Sequence, residues 1–248
     1  MNPTRNILML LVAFFAITLS SCVSVKKEPG QVQEFTYGKR NGGSLITLKF
    51  EKGKEHNHPL FAIWLADSEG NFLQTLYVSE SIGTGVFKHV SREAGRWMAG
   101  EIQRPAALPY WAYQRNIRNE AGTLLPTPQQ PVPDAYTGAT PSSSFVFYLN
   151  TDKPLNGVYT LFLELNQSWD WNEHWTNNKF PGDNEYKTSS QPALVYVTKL
   201  DTNSREEMEL KPIGHSHYSG KDGKLYDNLN TLSTALKIAN KITAVVKP

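Results

Sequence analysis

An unbroken apolar run, Leu60 to Ala66 (LFAIWLA), constrains the fold of this chain more than any other feature. Seven residues suit a strand and are short for a helix, and a run without polar alternation needs cover on both faces. The turn sequence Asp67-Ser68-Glu69-Gly70-Asn71 follows, and Phe72 to Val78 (FLQTLYV) returns. That pairing predicts a β-hairpin.

Further strand signals bracket it. Ser44 to Phe50 places Ile46, Leu48 and Phe50 on one face, and Ser144 to Asn150, Val158 to Leu165, Gln191 to Leu200 and Glu206 to Lys211 extend the pattern. Seven or eight short strands separated by turn residues predict an antiparallel immunoglobulin-like β-sandwich, with a barrel as the alternative. Three stretches depart from the pattern. Ser91 to Ile102, holding Trp97 and Met98, reads as a short helix. Gly122 to Thr140 reads as a long surface loop, because Leu125 to Pro133 carries four prolines in nine residues. Leu229, Leu232, Leu236, Ile238, Ile242 and Val245 roughly follow helical spacing and predict an amphipathic C-terminal helix.

At the other end, Arg5 precedes an apolar run from Ile7 to Leu19, and Ser20-Ser21-Cys22 follows. The run is too short to span a bilayer, which takes about 20 residues, and fits the core of an export signal. Leu19-Ser20-Ser21-Cys22 resembles the bacterial lipobox, which implies cleavage before Cys22 and a lipid on that cysteine. Cys22 is the only cysteine in the chain, so no intramolecular disulfide can form. The expected organisation is a signal peptide over residues 1–21 and a tether over 22–40. A sandwich over 41–213 and a Gly/His loop with the terminal helix over 214–248 complete it. No aspartate follows Cys22, which by resemblance to lipoprotein sorting favours the outer membrane, facing the periplasm. Without residues 1–21 the chain keeps 24 basic and 23 acidic side chains, a balance that offers no basic stripe to nucleic acid.

Five of the six histidines fall in polar clusters: His56 and His58, His174, and His215 with His217. A His-x-His pair on a strand turns both rings to one side, so two such pairs could meet around a transition metal, with Zn, Cu, Ni or Fe as the ions imidazole favours. His89 reads as a lone surface residue. A second cluster, Trp169-Asp170-Trp171-Asn172-Glu173-His174-Trp175, offers flat apolar faces and fixed polar groups to an organic ligand. The alternative is a packed loop whose amides bond to backbone. Asp170 and Glu173 would serve a glycosidase only at a particular separation. The glycines of Gly214 to Gly223 predict a loop pressed against another backbone or a ligand. No phosphate loop, calcium loop or nucleophile elbow occurs.

The segments HNHPLFAIWLADSEGNFLQTLYVS, RPAALPYW, DAYTGATP, GVYTLFLELNQSWDWNEHW and QPALVYV resemble an uncharacterised bacterial periplasmic family, domain of unknown function 2271, over about residues 44–200. The resemblance implies a periplasmic β-sandwich behind a signal sequence. It also implies a setting in envelope redox or metal handling, and it supplies no catalytic residues. Three functions follow in order: a non-catalytic binding or accessory lipoprotein, a metal-dependent or glycan-active hydrolase, and a structural envelope protein. For the last, Tyr110 and Trp111 would form an exposed patch for a protein partner.

Overall fold

Alternating burial marks strands such as Gln33–Tyr37 and Phe145–Asn150, whereas Leu60–Ala66 is buried almost throughout. A computed structural model describes residues 32–40 and 42–247. Cys22, the export segment and most of the expected tether lie outside the described residues. The elements run β1 (Gln33–Tyr37), β2 (Leu45–Lys52), β3 (Leu60–Ala66), β4 (Phe72–Ser79), α1 (Glu80–Thr84), β5 (Val86–Glu93), β6 (Arg96–Glu101) and α2 (Pro109–Arg115). They continue with β7 (Thr137–Gly138), β8 (Phe145–Asn150), β9 (Val158–Asn166), α3 (Asn184–Ser189), β10 (Leu194–Asp201), β11 (Met208–Glu209), β12 (Lys211–His215) and β13 (Ala239–Lys247).

Two open sheets form the sandwich. One has the order β1-β8-β2-β13-β11 and the other β12-β10-β9-β3-β4-β7. Internal pairings are antiparallel, whereas the edge strands β1 and β7 run parallel to β8 and β4. Between the sheets, Ile46, Leu48 and Phe50 of β2 meet Phe145 and Phe147 of β8 and Phe61, Ile63 and Leu65 of β3 in one continuous core. The rings of Phe50 and Phe145 stack at 4.8 Å, and Phe61 lies 5.6 Å from Phe145 across the sheets.

The β3–β4 hairpin forms in the expected place, with Ala62 opposite Val78 and Ala66 opposite Phe72. The apolar run of β3 is covered on both faces. Its other side, Ala62 and Trp64, packs against Leu108, Trp111, Leu124, Leu125, Val132 and Tyr136. The proline-rich segment is thus an irregular cover whose apolar side chains build a second core. Trp111 is fully buried and Tyr110 half-buried, so the exposed patch expected of them does not exist.

Two expected helices are strands. Residues 239–247 form β13, which pairs with β2 from Ala239 to Lys247 and inserts Ile242, Ala244 and Val246 into the core at alternate positions. Residues 86–101 form the β5–β6 hairpin, whose turn places Ala94 at φ 46 and Gly95 at φ 82. Two consecutive left-handed residues twist a turn the way flanking strands require. Within the expected tether, Gln33 to Tyr37 form a strand paired with β8. Among the described residues no helix is long and apolar enough to cross a membrane.

Candidate functional site

The loop between β2 and β3 is drawn to one end of the sandwich by a buried amide. Gln167 accepts the backbone N–H of Asn57 at 2.7 Å and donates to the carbonyl of Glu55 at 3.0 Å. This clamp sets His58 beside Ser168 and Trp169, the residues just past β9. Ser79, at the end of β4, accepts the N–H of Phe61 at 3.0 Å and hydrogen-bonds Thr140, closing the neighbouring wall. The start of the β5–β6 hairpin supplies Phe87 and His89.

These pieces enclose a cavity of about 520 Å³, lined by His58, Ser79, Phe87, Arg104, Ser168 and Trp169 among others. That volume lies within the range of small-molecule sites. Trp169 is 61% exposed. Trp169 and His58 both hold left-handed backbone, at φ 58 and φ 54. A bulky residue in that conformation costs roughly 1–2 kcal/mol, and such strain gathers at ligand-binding places.

Arg104 sits at a turn closed by the Ala107 N–H on its own carbonyl, 3.0 Å. The following residues are pinned by Ser189, whose hydroxyl donates to the Ala106 carbonyl at 3.1 Å. The Arg104 guanidinium carbon lies 4.5 Å from the centre of the Phe87 ring and 5.6 Å from that of Trp169. Burial lowers its pKa while Glu185 acts in the opposite direction. The guanidinium cannot lose its proton in a protein, so the cation persists.

The histidines do not converge. His56 is buried against Phe50, edge to face at 5.7 Å, and burial together with Lys52 lowers its pKa to about 4. His58 is exposed, its Nδ1 3.2 Å from Asn57 Oδ1. His174 is exposed with its ring against Trp175. His215 donates from Nδ1 to the Ser216 carbonyl at 2.8 Å and stacks on Tyr226, and burial lowers its pKa. His217 accepts the Ser219 N–H at 3.1 Å. Among the described residues no three His, Cys, Asp or Glu side chains are disposed to hold a metal ion. The strand geometry assumed for both pairs fails. His56 and His58 lie in a loop whose left-handed residue breaks the alternation, and His217 lies beyond the end of β12.

The tryptophan cluster divides. Asn172 Nδ2 donates to Gln191 Oε1 at 2.9 Å and the Thr231 carbonyl at 2.7 Å, while its Oδ1 accepts the N–H groups of His174 and Trp175. Asp170 accepts from Thr234 at 2.6 Å, and Glu173 is exposed. The amides thus fasten the loop to residues 231–234. Trp175 is buried and donates to Thr231 at 3.1 Å; Trp171 is half-buried against Tyr186. Trp169 alone of the three presents its ring to the cavity. The expected close approach of the glycine loop is also present, since a Cβ on Gly220 would lie 2.1 Å from the Pro105 carbonyl oxygen.

Arg104 and Phe87 carried no local sequence signal. Arg104 is separated from Trp169 by three strands, and Phe87 lies in an exposed hairpin. No family model, curated protein or solved structure matches this chain.

Proposed function

We propose that this protein is a lipid-anchored, non-catalytic binding module of the bacterial cell envelope, and that the cavity beside Trp169 takes a small organic ligand. The observation that carries the reading is the pairing of cost with exposure. A tryptophan and a histidine both adopt disfavoured backbone, and the tryptophan stands open to water at the rim of a ligand-sized cavity. Core packing accounts for neither cost. Anchoring rests on the likeness of Leu19 to Cys22 to a lipobox, and envelope residence on the likeness of residues 44–200 to the periplasmic family.

The test uses full-length protein extracted in mild detergent and titrated calorimetrically with a panel of neutral sugars, aromatic amides and aromatic carboxylates. Binding by the parent protein, lost in a folded Trp169→Gly variant, is the expected result. A panel without a single binder would end the reading. Metabolic labelling with a palmitate analogue tests the anchor: label should appear on the parent and vanish in Cys22→Ala.

A second reading, docking of an envelope protein, is favoured by the β5–β6 hairpin, where Trp97 is 57% exposed beside exposed Met98. A photocrosslinker at position 97 should then capture one discrete partner in cells.

A further inference from the structure

Arg104 is nine-tenths buried, yet it has no ion-pair partner within 4 Å among the described residues. Its sole side-chain hydrogen bond to them is a long one, from Nη1 to Ser168 Oγ at 3.5 Å, and its buried Nε–H has no acceptor. A guanidinium carries five N–H donors in one plane, and leaving even the buried Nε–H unmet is costly. Cations at this depth are ordinarily paired. Glu185 is close enough to be felt but does not make contact. The remaining charges on the cavity wall do not compensate, because Glu80 is paired with Lys88 at 3.6 Å.

We infer that the cavity recognises a carboxylate carried on a planar apolar body, with Arg104 receiving the carboxylate and Phe87 and Trp169 flanking the body. The inference rests on the reading of this cavity as a binding site and gives it a ligand class. Three features favour that class. The guanidinium carbon lies over both rings, so the in-plane donors are what Arg104 offers a ligand, and a carboxylate accepts two of them side by side. The cavity is far larger than a free anion, so the charge arrives on an organic body. Exposed indole at the rim supplies a face for a planar group.

The experiment compares benzoate with benzamide, which have the same shape and differ in charge, by calorimetry on full-length protein in detergent. Benzoate should bind at least tenfold more tightly. Arg104→Gln should erase that difference, and Arg104→Lys should keep part of it, which guards against a Gln variant that fails to fold. Equal affinity for the two probes in the parent protein would overturn the carboxylate inference and leave the binding site standing. So would a neutral sugar that binds through Trp169 when neither probe does. Failure of every panel ligand would remove the site itself, and the inference with it.

Discussion

Replacing Glu164 by glutamine should change how stability depends on pH. Glu164 is wholly buried in β9, and its two carboxylate oxygens accept the backbone N–H groups of Tyr110 at 3.1 Å and Trp111 at 2.7 Å. It thereby serves the start of α2, which has no side-chain cap of its own. Burial pushes its pKa up to about 8, against the opposing pull of those N–H groups and the Ser216 hydroxyl. In the unfolded chain the group ionises near its ordinary value of about 4.3. Between these values the folded protein holds the extra proton, so its stability falls as pH rises, by at most about 1.4 kcal/mol per pH unit. Glu164→Gln removes this slope. It also aims one amide N–H group at a backbone donor, a mismatch costing about 1–3 kcal/mol. The variant should therefore be the less stable protein at pH 5, and its deficit should shrink or reverse by pH 8. Buried His56 and His215 and half-buried His217 have lowered pKa values and tilt stability the opposite way below about 6.5. The decisive comparison is thus parent minus variant, by urea denaturation at four pH values between 5 and 8. A difference that stays constant across that range would refute the argument.

Other residues give sharper yes-or-no outcomes. His56 carries a proton less readily when folded, so stability should rise between about pH 4 and 6.5, and His56→Gln should flatten that rise in urea titrations. Trp169→Gly relieves a left-handed residue while losing little packing, so thermal unfolding should shift by no more than the equivalent of about 1 kcal/mol in either direction. Gly220→Ala would drive a Cβ to 2.1 Å from a backbone oxygen at φ +70, and should destabilise by about 3 kcal/mol or more in calorimetric unfolding. Asn172→Ala strips bonds to Gln191, Thr231, His174 and Trp175, and should destabilise by about 2–4 kcal/mol while hydrogen exchange accelerates around residues 170–175.

The sandwich was legible where a strand's own residues settle its state. LFAIWLA and VYTLFLEL read as strands from their length, their flanking turn residues and their β-branched or aromatic content. Two failures have separate physical origins. Near the C-terminus, leucines at helical spacing before residue 237 merged with ANKITAVVK, where Ile242, Ala244 and Val246 alternate as a strand. The period changed within one window, and Thr243, Val245 and Val246 were the β-branched signal that should have marked the boundary. In SREAGRWMAGE, Ala-Gly was weaker turn chemistry than the Asn-Gly or Asp-Gly that such turns favour. The site was half legible. His58 and Trp169 stood out as residue types, but Arg104 becomes notable only when folding buries it against Phe87 without a counter-charge. The histidine pairs misled because their meaning depended on strand geometry that the loops do not have.

The parallel edge strand β1 has a mechanical consequence. A pull at Gln33 directed along the strand slides β1 past β8, so the rungs from Gln33–Phe145 to Tyr37–Leu149 bear load together. A pull across the sheet would instead open them one at a time. Either way β8 stays paired with β2 after β1 has gone, from Leu45–Asn150 to Phe50–Phe145. Releasing β1 would pay out about 17 Å of extended chain, at about 3.3 Å per residue, without opening the sheet behind it. Strained from its amino-terminal side, the sandwich would yield first at β1, and the departure of Tyr37 would uncover Gly138 in the cavity wall.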